Sequence, residues 1–205
     1  AAEYGGIADV DPVENIHIRG IKATYYEDQA SRNSHLISMN FSRNCTIEDC
    51  AVDGTGGAKG QMFRISDSLN TWAYRCIGEN PKFHESGEGY VFANYKSDRS
   101  GFRNCLARGG RHNFLMQAST NWTVDGCQSI DSWISGIDAH GVDEYDGLII
   151  NCQLSQMNNH PTDASNGACL RIGNTSHYVG THWTRVVNCT FYGNYETNIA
   201  AIDFL

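Results

Sequence analysis

Proline is scarce in this sequence, three residues in 205, and no apolar run approaches the ~20 residues that a membrane-spanning helix needs. Basic residues are also few. Fifteen Lys and Arg against 23 Asp and Glu leave a formal net charge of −8, which argues against a surface that tracks nucleic-acid phosphates. No Cys-x-x-Cys pair is present and Cys45 with Cys50 has no partner pair at finger spacing, so neither a metal nor another cofactor is expected. The N-terminal segment AAEYGGIADVDPVENIHIRG has neither the basic start nor the apolar run of a secretion signal, and a soluble chain is expected. Apolar residues nowhere recur at three- and four-residue steps over several turns, which excludes long helices. No proline-rich, serine-rich or charged run marks a boundary, so residues 1–205 read as one domain.

What is present is glycine, 21 residues of it, and short alternating runs such as His35–Phe41 (HLISMNF) and Gly147–Cys152 (GLIINC). These predict an all-β chain. Self-comparison then exposes a repeat. Cys50, Cys76, Cys105, Cys127, Cys152 and Cys189 stand in similar settings at intervals of 26, 29, 22, 25 and 37 residues. The longest interval contains the polar stretch NNHPTDASNG, which reads as an inserted loop near 157–167. Asn44, Asn70 and Asn121 each lie six residues before a cysteine position. Ile37, Phe63, Phe92 and Phe114 form a further column, followed two residues on by Met39, Ile65, Asn94 and Met116. Spacing of this kind predicts a three-sided parallel solenoid of about seven rungs from residue 14 onward, with like residues stacked ~4.8 Å apart. Both apolar columns are expected to face inward and the residues between them outward. The cysteines are expected to be reduced core thiols, which fits folding in a reducing compartment.

Four Asn-Cys pairs, Asn44-Cys45, Asn104-Cys105, Asn151-Cys152 and Asn188-Cys189, each precede a short apolar strand. In this the chain resembles the pectin-lyase-like superfamily of right-handed parallel β-helices over about residues 14–205. The segments Gly110–Phe114 (GRHNF) and Ile137–Gly141 (IDAHG) look like those of phage tailspikes and related glycan-active β-helices. That resemblance implies a right-handed single-stranded helix with a polysaccharide partner, in a virion tail or outside the cell. It leaves open a homotrimer or association with other tail or surface chains, and a fragment of a longer helix.

The same register places candidate functional residues. One outward column is expected to hold Met62, Val91, Asn113 and Asp138. The next holds Arg64, Ala93, Leu115 and His140, with Arg171 as successor. Asn113, Asp138, His140 and Arg171 are therefore expected to converge on one wall, with Asp143 and Glu144 overhanging it and Trp133, Tyr145 and Trp122 nearby. Asp138, His140 and Arg171 are the candidate catalytic residues; Arg64, Asn113, Trp133, Asp143, Glu144 and Tyr145 are candidates for substrate binding.

Three uses fit such a wall. A lyase on uronic-acid polymers needs a base, here His140, and a cation for the enolate, here Arg171. A glycoside hydrolase needs two carboxylates, which Asp138 with Asp143 or Glu144 supplies. A non-catalytic structural module of a virion tail or cell-surface assembly needs neither. Asp-x-His-Gly also serves as an ordinary turn in which the carboxylate accepts backbone N–H groups. His112 is expected to pack inward or at a corner, and Arg111 to be a surface group. The sequons at Asn121 and Asn188 fall within predicted strands, which argues against glycosylation there.

Overall fold

The computed structural model describes residues 11–25, 35–55, 60–82, 88–141, 144–156, 168–173, 183–193 and 200–204; the expected loop at 157–167 lies outside them. The described residues contain strands and turns but no helix. Nearly all the strands fall into three seven-stranded parallel sheets, each visited once per rung. The long-strand sheet comprises His35–Asn40, Gln61–Ser66, Tyr90–Tyr95, His112–Gln117, Ser135–Ala139, Ala168–Ile172 and Ala200–Phe204. The first short-strand sheet includes Thr46–Glu48, Trp72–Tyr74, Gly101–Arg103 and Thr123–Asp125. The second includes Ala51–Asp53, Ile77–Glu79, Leu106–Arg108 and Gln128–Ser132.

The repeated cysteine marks the corner between the two short-strand sheets. Each is preceded by a residue in the left-handed region: Asp49, Arg75, Asn104, Gly126, Asn151 and Asn188, with φ between 49° and 63°. Asparagine, aspartate and glycine tolerate that conformation best, which accounts for the Asn-Cys pairs. The following thiol points inward and reaches the carbonyl two residues back, at 3.2 Å from Glu48 for Cys50, 3.3 Å from Tyr74 for Cys76 and 3.2 Å from Ile150 for Cys152. Backbone bonds join the corners along the axis: Ile77 to Cys50, Leu106 to Cys76, Gln128 to Cys105 and Gln153 to Cys127. All eight cysteines are free, seven of them buried and Cys189 partly exposed. Burial pushes the Cys105 thiol well up and that of Cys152 to about 12, so neither forms a thiolate near neutrality.

A second corner, after the long strands, does the same work with serine. Ser42, Ser68, Ser97 and Ser119 are buried, and the Oγ atoms of Ser68, Ser97 and Ser119 accept from the backbone N–H of Ser42, Ser68 and Ser97 respectively, at 3.2–3.3 Å. At the next turn Asn70 donates to Asn44 at 2.9 Å, while Asn121 donates to Asp98 at 2.7 Å.

Phe63, Phe92 and Phe114 stack along the axis with centroids 4.6 and 5.1 Å apart and nearly parallel planes. Both expected apolar columns do face the core. Sidedness departs from expectation at the start of the long strands. Met62 and Val91 are wholly buried core residues and Asn113 is equally buried. Register pairs run Gln61 to Tyr90 and then Phe63 to Phe92, so the intervening position turns into the corner instead of alternating outward.

Two outcomes follow from this packing. Phe92→Ala removes the middle ring of the stack and is expected to lower the unfolding free energy by ~3–5 kcal/mol, measured by urea denaturation. Thiol titration of the native protein is expected to modify Cys189 first, the seven buried thiols reacting only in denaturant; rapid native labelling of Cys105 or Cys127 contradicts the interior row.

Candidate functional site

The long-strand sheet differs from the other two in having both faces closed over its central strands. His112–Met116, Ser135–Ala139 and Ala168–Ile172 are buried at every position, although alternate side chains leave the core. Polar groups on this outer face are therefore desolvated, and their charges must be matched locally.

Asp138 sits on that face, 1% exposed, in register with Leu115 on one side and Arg171 on the other. This moves it by two residues from the expected alignment with Asn113. The reason is that Ile137 occupies the phenylalanine column and the small Ala139 the methionine column. His140 follows the strand directly, its N–H donating to the Met116 carbonyl at 3.2 Å. His112, at the head of the neighbouring strand, projects onto the same face.

The two imidazoles grip one carboxylate. His112 Nδ1 lies 3.0 Å from Asp138 Oδ2 and His140 Nδ1 lies 2.9 Å from Asp138 Oδ1. Both are close enough for ion pairing, yet oblique, since neither carboxylate oxygen has a well-aligned hydrogen-bond donor. On its other side His112 Nε2 lies 2.9 Å from an Arg111 Nη, which also reaches the Tyr90 hydroxyl at 3.4 Å. A guanidinium only donates, so this Nε2 accepts and the imidazole hydrogen resides on Nδ1, facing Asp138.

The charges follow from this arrangement. Burial drives the His112 pKa down to about 3, and the nearby cations Arg111 and Arg171 overcome much of what Asp138 restores, so this ring is neutral. Burial also opposes ionisation of Asp138, but the imidazoles and Arg171 outweigh it and hold the carboxyl at about 2. For His140 burial works against the charged form; Asp138 and then Glu144 overcome it, raising the pKa above 6.5. Its side chain is 25% exposed, against 2% for His112 and 1% for Asp138. His140 is thus the member of the triplet that meets solvent, with its pKa raised by the carboxylates beside it.

Asp138, His140 and Arg171 come together on this face, Arg171 in register with Asp138 instead of following His140; Asn113 does not join them. It is fully buried, accepts from Gly110 N–H at 2.9 Å and donates to Ser129 Oγ at 2.8 Å, latching a corner. Arg64 shares the column of Asp138 but three rungs away, ~14 Å along the axis. There it contacts His35 at 2.7 Å and lies over the Tyr95 ring. Glu144 is wholly buried and accepts from Ala118 N–H at 2.7 Å. Tyr145 lies in a corner row beside Thr120, and Trp133 is half-buried in the corner before Ser135. Trp122 is a core residue, its ring filling the space beside Gly147, so it faces no ligand. Asp143 lies outside the described residues. His112 is absent from the sequence-derived site because its column is expected to face inward or sit at a corner. Among the described residues no group of three or more His, Cys, Asp or Glu is disposed to hold a metal ion.

No protein-family model matches the sequence and no curated protein is similar enough to count as a relative. Solved structures do match. The tailspike of E. coli bacteriophage HK620, in complex with a pentasaccharide, aligns over 94% of this chain at 15% identity with a TM-score of 0.60. The chain is a parallel β-helix. The catalytic domain of a GH87 α-1,3-glucanase, in complex with tetrasaccharides, aligns over 93% at 10% identity with a TM-score of 0.50. The β-helix described here spans 41% of each of those chains.

The three titrations leave opposite marks on stability. His112 binds a proton near pH 6.5 when unfolded but only near 3 when folded, so its contribution is complete above 6.5 and drains as pH falls towards 3. That of Asp138 drains between 3.8 and about 2. His140, raised, contributes fully below 6.5 and loses that contribution as pH rises through its folded value. In melting temperature against pH, His112→Gln is expected to flatten the decline below 6.5, and His140→Gln the decline on the alkaline side. Unaltered limbs in both variants contradict the assignment.

Proposed function

We propose that this β-helix binds an acidic polysaccharide along the His140 edge of the wall and cleaves it by β-elimination. The observation that carries this reading is the solvent-accessible His140 imidazole, held by a buried ionised Asp138 beside Arg171. His140 takes the proton from the carbon next to the uronate carboxylate. Arg171 sits close enough in register to Asp138 to balance the negative charge that develops. The electron pair forms the new carbon–carbon double bond as the glycosidic oxygen leaves and takes up a proton. Asp138 acts by orienting His140 and by raising its pKa, which makes the neutral imidazole a stronger base. The likeness to oligosaccharide-bound β-helices supports a saccharide ligand at the level of fold only.

Hydrolysis by a carboxylate pair has less support. Asp138 is buried between two imidazoles and Glu144 is buried with one oxygen accepting a backbone N–H, which leaves neither acid placed to protonate a leaving group. A purely structural module of a tail or surface assembly draws on one observation, the near-complete burial of Asp138 and His112, which suits an internal ion pair.

Incubation with a panel of uronate polymers separates these readings. Unsaturated uronate ends, seen by their ultraviolet absorbance, are expected from the wild type, with His140→Ala slower by ~10²–10⁴-fold. The rate is expected to rise with pH through a value above 6.5. If no polymer yields unsaturated ends while His140→Ala and Asp138→Ala leave saccharide binding unchanged, the structural module is the correct reading.

A further inference from the structure

The first short-strand sheet carries a second constellation, on a different sheet from Asp138. Trp72 and Tyr74 flank the buried Ala73, so both rings stand on its outer face, with centroids 6.3 Å apart. The Trp72 indole N–H donates to Asn70 Oδ1 at 3.0 Å, which fixes the ring. Directly in register above Trp72 is Gly101. The absence of a side chain there leaves room, and Arg103 folds into it, its guanidinium carbon 4.3 Å from the Trp72 centroid. Glycine is obligatory at this position. A Cβ on Gly101 would lie 1.9 Å from the Thr123 carbonyl oxygen.

This arginine is unusual among its neighbours. Arg19, Arg43, Arg75, Arg99 and Arg108 each hold a carboxylate within 3.1 Å. Arg103 has Asp125 as its in-register neighbour, yet turns back onto Trp72 and makes no ion pair with it among the described residues. Asp125 instead accepts from Asn151 at 3.3 Å, while Glu48 is engaged by His17 and Arg75. Arg103 Nε is buried without a hydrogen-bond partner. In a chain of net charge −8, a guanidinium held over an aromatic ring and in no ion pair among the described residues is a ready anion site.

We propose that Arg103, Trp72 and Tyr74 form a second saccharide site, specific for a single carboxylate-bearing sugar. The guanidinium edge takes the carboxylate in a two-pronged hydrogen bond, and the aromatic rings receive the apolar C–H face of the sugar. Asp125 and Glu48, on either side along the strand column, disfavour a dense polyanion such as nucleic acid. The inference shares its ligand class with the proposed wall but rests on neither His140 nor Asp138.

The test follows the Trp72 indole N–H resonance, assigned by its loss in Trp72→Phe, during titration with trigalacturonate. The expected result is a saturable shift that persists in His140→Ala. Half-saturation is expected to rise about tenfold or more in Arg103→Gln, with partial recovery in Arg103→Lys, and by a similar factor with the carboxyl-reduced trisaccharide. A Trp72 resonance that does not move, or moves equally in Arg103→Gln or with the neutral sugar, overturns the site. Loss of cleavage activity in every protein, with the Trp72 shift intact, instead removes the wall's catalytic role and leaves this site standing.

Discussion

The structure depends on a corner in which one residue adopts a left-handed backbone and the next turns a small polar atom back onto the carbonyl two positions earlier. Cysteine serves this purpose between the two short-strand sheets and serine after the long strands. Each corner satisfies its own backbone and passes a hydrogen bond to the corner of the next rung, so turns that would otherwise bury unpaired peptide groups become continuous columns. Register is fixed at these columns. The aromatic and aliphatic stacks between them then fill the interior with rings and methyl groups at van der Waals contact.

That fixed register is what makes a polar site on the long-strand sheet affordable. A carboxylate on a strand buried on both faces carries a heavy desolvation cost unless cations and dipoles are already in place. Here the adjacent strands supply them from below and above: His112 from one neighbour, Arg171 from the other, and His140 from the turn beyond. The result is an ordered division of labour. One ring is held as a neutral tautomer by Arg111, one carboxylate is kept ionised near neutrality, and one imidazole is left to exchange protons with whatever reaches its exposed edge.

The solenoid was legible because stacking forces chemically similar residues to recur. Six cysteines and a run of phenylalanines at one position suffice to reveal the axis. Sidedness was legible where large apolar residues alternate, as at Phe63 and Ile65, and failed where the chain turns into a corner, as at Asn113, because a corner leaves no mark in an alternating pattern. Asp138 and His140 were recognisable from Asp-x-His-Gly, but their register was two residues off. Ala139 fills a column elsewhere held by Met116 and Ile65, and so small a residue gives little signal of core position. His112 was hidden for the same reason as Asn113, its direction being set by the corner and not by the strand period. Arg103 gave no hint at all, since its lack of an ion pair is visible only when the stack brings Asp125 beside it.

The interval of 22 residues from Cys105 to Cys127 is the most economical circuit of the described helix, three strands joined by corners with nothing added. It is closed by the same two devices at both ends, Cys105 against Cys127 and Ser97 against Ser119, each spanning one circuit. Because its bonds run only to the circuits on either side, a copy of it spliced in tandem keeps both outer junctions and adds one new one, of the circuit against itself. The chain thus contains its own template for lengthening, a modular unit by which distances along the axis are adjustable in steps of one strand spacing while every existing junction is preserved.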